Sequence, residues 1–410
     1  MKSTLPTSLL FSVYKLLWFC ITPILKRLPR LKEGVAERIL QEISFSKVDL
    51  WMHAASVGEA YIAIQILKSF EGDQELDILV TCNTSQGREI LKKNLAEQQH
   101  HVSIAYMVFD NPVLVKKAIK IADPKLLVLI ELEIWPALMA EMKRQKKQII
   151  IVNGRMTEKS FKGYNKVAFL WRRLKPDVIL ATSKDNKARL QALFQQKKTY
   201  LVENIKFDQI EKCTIVERTA TKNKSLILAS IRKEEESEVL YIIIKLLETF
   251  PDLHIDLFPR HLHRVPDWVK LLSGQNISYS IKTASQNNNS QSVLIWDVFG
   301  EMINAYQRSD AAFVGGSLAP LGGQNFIEAF MNGVIPVTGP SVSNFLWTGD
   351  EVFLDGLVKK GNSKEEVLQL LVSILKSPPD KNLIQQKANS YIQLKQGGSR
   401  KTCQHIVDLL

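Results

Sequence analysis

Apolar residues in this chain gather in short, nearly unbroken runs, and between the runs they recur at the spacing of helix faces. Five runs lie in the first half: 47–55 (KVDLWMHAA), 76–82 (LDILVTC), 125–133 (KLLVLIELE), 148–154 (QIIIVNG) and 177–183 (DVILATS). Five more follow: 225–230 (SLILAS), 253–260 (LHIDLFPR), 292–298 (SVLIWDV), 310–317 (DAAFVGGS) and 334–339 (VIPVTG). A run apolar on both faces predicts a strand buried on both sides, and helices between such strands predict a parallel sheet with both faces covered. The segment 56–70 (SVGEAYIAIQILKSF) has helical spacing, a polar helix is predicted from Ser85, and the chain from Ser363 reads as wholly helical. Around 211–224 the chain turns polar and loses its period, which marks a boundary. The expected fold is therefore α/β, with two Rossmann-like domains facing a central cleft. The first covers 33–212, a linker covers 213–224, and the second covers 225–410. In open sheets of this kind ligands bind beyond the carboxyl ends of the strands, so the loops after strands are where chemistry is expected.

The N-terminal segment 1–32 stands apart. Residues 9–25 (LLFSVYKLLWFCITPIL) form an apolar run broken by Lys15, and Lys26, Arg27, Arg30 and Lys32 follow it. A spanning helix needs roughly 20 apolar residues, so this run is marginal. A secretory signal carries its charge before the apolar run and ends in small residues, which is not the pattern here. The segment is expected to associate with a membrane, as a short signal-anchor or as a helix lying in the interface with its basic flank on anionic headgroups. A buried N-terminal helix is the alternative. Either membrane reading keeps the remaining chain on the cytoplasmic side.

Charge narrows the partners. There are 54 Lys and Arg against 42 Asp and Glu, a net +12 over 410 residues. Such a balance suits nucleic acid, an anionic membrane or a phosphorylated substrate. No zinc-finger spacing, RRM-like aromatic motif or isolated basic helix is present, so nucleic acid is not the expected partner. The four cysteines, Cys20, Cys82, Cys213 and Cys403, are far apart and form no C-x-x-C pair, which suits a reducing compartment.

Candidate chemistry clusters after the strands. In 53–60 (HAASVGEA), Glu59 stands in the first turn of a helix, where Ser56 and Glu59 match a capping box. Gly58 costs helix stability there and suggests close approach by a ligand, so Glu59 is also a candidate general base. Glu131 and Glu133 in 131–136 (ELEIWP) end an apolar strand, and alternation would put them on one side of the sheet. Two carboxylates without further ligands are weak grounds for a metal, and a metal-free site is expected. Arg155 in 153–161 (NGRMTEKSF) is placed to hold an anionic group, and Lys206 lies in 203–208 (ENIKFD). In the second half, Pro259 and Arg260 open 259–264 (PRHLHR), whose H-x-H lacks the companions zinc requires. Phe299, Gly300 and Glu301 precede a helix. Gly315, Gly316, Gly322 and Gly323 flank a strand end, and Asn325 begins a helix that Gly333 ends, with Glu328 one turn in. A glycine-rich turn feeding a helix predicts a phosphate cradle for a nucleotide-linked ligand.

Taken together, these segments resemble the Kdo (3-deoxy-D-manno-octulosonic acid) transferases of lipopolysaccharide biosynthesis, which have the GT-B fold. The matching stretches are WMHAASVGEA, ELEIWP, NGRMTEKSF, ENIKFD, FPRHLHR, WDVFGEM, VGGSLAPLGGQNFIEA and GPSVSNF, in the family's order and spread over nearly the whole chain. The resemblance implies an inverting, metal-independent inner-membrane enzyme that needs no cofactor. Its donor would be CMP-Kdo and its acceptor lipid IVA, a lipid A precursor. It implies Glu59 as the base, Glu131 and Lys206 as stabilisers of the transition state, and Pro259, Arg260, Phe299, Gly300, Glu301, Asn325, Phe326, Ile327 and Glu328 as the CMP-binding stretches. Three places depart from the family pattern: Gln324 replaces a usual His, Glu203 a usual Gly, and 230–236 (SIRKEEE) matches S-T-H-x-G-E-E only loosely. A UDP-sugar transferase acting on a membrane acceptor, or a non-catalytic basic lipid-binding protein on the same fold, is the alternative.

Overall fold

The computed structural model describes residues 7–25, 27, 33–70, 75–96, 100–212, 224–284 and 292–410. Most of the basic flank, residues 213–223 of the expected linker with Cys213, and residues 285–291 lie outside the described residues. Two compact units emerge: Met1–Ile210 together with Lys395–Leu410, and Glu211–Leu394.

In the first unit, β1 (Leu50–Ala54), β2 (Asp77–Cys82), β3 (His101–Tyr106), β4 (Leu126–Ile130), β5 (Gln148–Gly154), β6 (Val178–Ala181) and β7 (Thr199–Leu201) form one sheet in the order β3-β2-β1-β4-β5-β6-β7. Neighbouring strands pair in parallel, with His53 facing Thr81 on one side and Leu129 on the other. Each face has its own core. Trp51, Leu79, Leu127 and Ile149 pack on one side, and Leu50, Met52, Val80 and Val128 on the other. Because successive residues point to opposite faces, a strand between two helical layers is apolar at nearly every position, and a polar residue there needs a buried partner, as His53 Nδ1 has in Thr81 Oγ1 at 3.0 Å. Burial on both faces is why β1 and β4 read as nearly unbroken runs.

The second unit repeats the plan with β8 (Ser225–Ile231), β9 (His254–Pro259), β10 (Tyr279–Ile281), β11 (Val293–Ile295), β12 (Ala311–Val314), β13 (Pro336–Thr338) and β14 (Lys359–Lys360). Their order is β10-β11-β9-β8-β12-β13-β14. In both sheets the winding reverses beside the first strand, between β1 and β4 and between β8 and β12. Loops leaving the carboxyl ends of such a pair diverge to opposite faces and open a crevice, the usual ligand position in doubly wound sheets.

The chain's end departs from expectation. The helix Gly398–Val407 belongs to the first unit, whereas the sequence reading assigned everything through residue 410 to the second. Apolar burial and a carboxylate cap hold it there. Ile406 and Cys403 enter the core beside Leu50 and Ile66, and the Cys403 thiol donates to the Ile66 carbonyl at 3.1 Å. Asp208 accepts from the amides of Gly397 and Ser399, each at 2.6 Å. Nothing local in the sequence announces this return, because the contacts join residues about two hundred or more positions apart.

The N-terminal helix Thr7–Leu25 contains Pro23 and lies against the first unit by one stripe, Tyr14, Trp18, Thr22 and Leu25. Among the described residues no helix is long and apolar enough to cross a membrane. Leu16, Phe19 and Ile24 on the remaining surface of this helix are 64%, 77% and 61% exposed.

If the returning helix closes the first core, Ile406→Ala should destabilise the protein by about 2–5 kcal/mol, the usual cost of emptying a fully buried aliphatic site. Urea unfolding followed by circular dichroism measures it; a loss within about 0.5 kcal/mol would mean the helix is only loosely docked.

Candidate active site

β1 ends at Ala54 and the helix Val57–Lys68 begins two residues later, so Glu59 stands in its first turn. The capping box is formed: the Ser56 amide donates to Glu59 Oε2 at 2.8 Å, and the Ser56 hydroxyl is bonded to the same oxygen. Both contacts fall on one oxygen. Among the described residues nothing donates to Glu59 Oε1, and the side chain is partly exposed. The structural role and the chemical one are therefore compatible, because the cap orients the carboxylate and leaves half of it able to take a proton. A Cβ at Gly58 would meet only Ser56 Oγ, at 3.8 Å, so internal packing does not demand glycine there.

Glu131 follows β4 directly, across the switch point from Glu59. Its φ is +58°, a left-handed conformation unusual for a residue with a side chain. That turn breaks the alternation, so Glu131 and Glu133 do not share a side of the sheet as the sequence reading expected. Glu131 Oε1 instead accepts from Lys206 Nζ at 2.9 Å and Arg155 Nη1 at 3.2 Å, leaving one positive charge in excess in a largely shielded cluster. Glu133 turns back to Trp135, whose indole donates to it at 3.1 Å, and to His53, whose Nε2 lies 3.7 Å away.

Two asparagines build the Lys206 side of the cluster. Asn153, also left-handed at φ +52°, accepts from the Ile205 amide at 3.0 Å, and Asn204 caps the short turn by accepting from Lys206 N at 3.0 Å. Together they fasten the Ile205–Gln209 turn to the end of β5. Sequence reasoning missed Asn153, Asn204 and His53 as site-builders. The only available signal was a polar residue at the close of an apolar run.

In the second unit Pro259 ends β9, and the Arg260 amide donates to Ile231 O at 2.8 Å while the Arg260 side chain is exposed. His261 and His263 stack at 5.5 Å, and burial together with Arg232 and Arg260 pushes the His261 imidazole below its ordinary value. Phe299 is 73% exposed, Gly300 is left-handed, and Glu301 sits at the start of the helix Met302–Arg308, its carboxylate accepting from Asn304 Nδ2 at 2.9 Å. Asn325 Oδ1 accepts from the Ile327 amide at 3.1 Å, and its Nδ2 donates to Glu328 Oε1 at 2.8 Å. Burial raises the Glu328 carboxyl above its ordinary value, and Asn325 opposes the shift. The side chains of Phe326 and Ile327 are buried, Phe326 packed at a tilt against Phe345 at 4.9 Å, so any ligand contact there falls to backbone or neighbours.

The expected phosphate cradle is already filled from within. Glu235, fully buried, accepts from the amides of Gly316, Ser317 (3.2 Å), Leu318 (3.1 Å) and Arg232 (3.0 Å). The Gly322 amide goes to Ser341 Oγ at 2.8 Å, Gly323 to Gly316 O at 2.7 Å and Gln324 to Gly315 O at 3.0 Å. These amides are engaged, and the glycines serve close packing: a Cβ at Gly315 would lie 2.6 Å from Glu235 Oε1 and from Ser230 O. An internal carboxylate is an effective ligand for a ring of amides, which is why a pattern typical of phosphate loops also suits a buried glutamate.

Two doubly wound parallel sheets with polar groups at the carboxyl ends of their switch strands define an α/β protein of the GT-B class. Solved structures share this fold. A glycosyltransferase from Rickettsia africae ESF-5 superposes with a TM-score of 0.58 at 12% identity, covering 89% of this chain and 99% of that one. A UDP-GlcNAc 2-epimerase from Neisseria meningitidis gives 0.54 at 14% identity, over 88% and 98%.

Sequence relatives narrow the class. Residues 26–209 match the family described as 3-deoxy-D-manno-octulosonic-acid transferase (kdotransferase). The 3-deoxy-D-manno-octulosonic acid transferases of Rickettsia felis and Rickettsia bellii are each 30% identical, over 76% and 83% of this chain and 68% and 82% of theirs. A bifunctional glycosyltransferase/methyltransferase of Fusobacterium nucleatum is 26% identical over 84% of this chain, which spans only 56% of that relative. The chain belongs to the Kdo transferase family and is a glycosyltransferase.

Glu235→Ala would leave four amides without an acceptor, and a loss of about 3 kcal/mol or more in unfolding free energy is expected. Urea denaturation of the variant tests this, and near-wild-type stability would show that other groups serve these amides.

Proposed function

We propose that this protein transfers Kdo from CMP-Kdo to a hydroxyl of lipid IVA, with inversion at the transferred sugar and without a metal ion. The observation that carries the proposal is the pairing, across one switch point, of a carboxylate with one free oxygen and a carboxylate clamped between two cations. In this mechanism Glu59 Oε1 takes the proton of the acceptor hydroxyl as the hydroxyl oxygen attacks the anomeric carbon of Kdo. The bond from that carbon to the CMP phosphate oxygen breaks, and CMP leaves with the electron pair. Lys206 and Arg155, oriented by Glu131, stabilise charge near the acceptor, and Arg260 serves the phosphate of the leaving nucleotide. With the Gly316–Leu318 amides held by Glu235, phosphate recognition passes to side-chain cations. Family membership supports the donor assignment.

The acceptor is an anionic lipid, and the chain is strongly basic. The N-terminal helix, with its exposed apolar residues and Lys15, lies in the membrane interface on the cytoplasmic side in this proposal. A parallel-lying helix needs no spanning length, which suits the limits of this segment.

The decisive variant is Glu59→Gln. Glutamine also completes a capping box, so stability should hold, while transfer of Kdo to lipid IVA should fall by about 10²–10⁴-fold. CMP should still raise the melting temperature of the variant. Retained transfer would reduce Glu59 to a cap, and protection by UDP in place of CMP would favour a UDP-sugar donor.

A further inference from the structure

Asp110 lies in the loop after β3, fully buried, and none of the chemistry above uses it. Its Oδ2 accepts from the Ala137 amide at 2.9 Å and its Oδ1 from the Leu138 amide at 2.9 Å. These are first-turn amides of the helix Pro136–Arg144, which starts with proline after Trp135 and so has no side-chain cap of its own. The segment feeding that helix is Glu131 to Trp135, which carries both site carboxylates. Asp110 therefore holds the far end of that segment in place, while the left-handed turn at Glu131 holds the near end.

The same carboxylate has a third partner. Tyr14, on the N-terminal helix, donates its hydroxyl to Asp110 Oδ2 at 2.7 Å. One turn on, Trp18 stacks on Phe109 at 6.0 Å. Tyr14 and Trp18 belong to the stripe of that helix turned toward the domain, and Leu16, Phe19 and Ile24 are on its exposed surface. A single buried group thus joins the docked face of the N-terminal helix to the segment bearing Glu131 and Glu133.

We infer that Asp110 is a positioning residue for the Glu131–Trp135 segment, and that Tyr14 makes this positioning depend on the docking of the N-terminal helix. The inference takes the site from the proposed function and adds a coupling: a membrane surface that orients the helix also steadies the carboxylates at the acceptor site. The titratable group touching Asp110 is Tyr14. The Pro136–Arg144 helix presents amides alone, and the Arg38 guanidinium lies over the ring of the neighbouring residue Phe109, 6.0 Å from its centre. Burial pushes the Asp110 carboxyl up to about 6, and the two amides and the Tyr14 hydroxyl pull the other way. Above that pH both oxygens accept. Below it a proton occupies one of them and competes with a capping amide.

Hydrogen exchange by mass spectrometry on the full chain tests the coupling without reference to catalysis. Tyr14→Phe should speed exchange of the Ala137 and Leu138 amides about tenfold, as expected when a charge-assisted hydrogen bond is lost. Vesicles of anionic phospholipid should slow the same amides in the wild type and not in Tyr14→Phe. Asp110→Asn should show the larger opening; if it fails to fold, Tyr14→Phe alone decides. Unchanged exchange at Ala137 and Leu138 in Tyr14→Phe, with faster exchange confined to the N-terminal helix, would overturn the inference. With lipid IVA in the vesicles, kcat should fall as pH drops through about 6, and in Tyr14→Phe this limb should move to higher pH while KM for the donor holds. A limb that does not move between wild type and variant would overturn it too. If the wild type transfers no Kdo yet the exchange pattern is as stated, the coupling stands and the substrate assignment fails.

Discussion

A parallel strand buried on both faces admits a polar side chain before its carboxyl end only where a buried partner meets it, as the Trp296 indole meets Asp256 within β9 at 2.7 Å. This constraint organises both units. The interior strands are filled largely with Leu, Ile and Val, and the candidate site residues lie where the strands stop. Three of those ends bear a left-handed residue with a side chain: Glu131 after β4, Asn153 at the close of β5 and Ser230 near the end of β8. Each such turn costs backbone strain, of order 1–3 kcal/mol where nothing relieves it. In return the chain leaves the sheet abruptly and the next side chains are aimed at the crevice.

Three carboxylates illustrate how similar local chemistry yields different roles. Glu235, Asp110 and Glu59 each accept from backbone amides at or near the start of a turn or helix. Glu235 and Asp110 are fully buried, and both of their oxygens are engaged, so they can only hold structure in place. Glu59 is partly exposed and has one oxygen tied to Ser56. Residue type is shared; the number of lone pairs left open, and their access to solvent, separates a carboxylate that only holds structure from one still able to accept a proton. Glu131 is a fourth case, a carboxylate that takes side-chain cations in place of amides and orients Lys206 and Arg155.

All ten interior strands are legible as apolar runs, and the four strands not anticipated, β3, β7, β10 and β14, are the edges of the two sheets. Edge strands meet solvent along one side and often on a face. His101 to Ser103, Tyr200, Leu201 and Lys360 are correspondingly half-buried or exposed, and their sequences carry no unbroken apolar signal. The candidate site is legible in a similar measure. Its residues were recognisable because polar groups at the ends of apolar runs have few structural explanations. The division of Glu131 from Glu133 was not recognisable, since it depends on one dihedral angle.

By itself the sequence determined the α/β class, the boundary near residue 211, the interior strands and, through its ordered motifs, the family. These follow from periodicity and local composition, which act over a few residues. Only the tertiary structure decided that the last helix returns to the first unit, that Glu235 occupies the glycine-rich turn in place of a phosphate, and that Asp110 joins the N-terminal helix to the site. Each of those depends on contacts between residues tens to hundreds of positions apart. There the partner is chosen by what burial leaves unsatisfied once the sheets have formed.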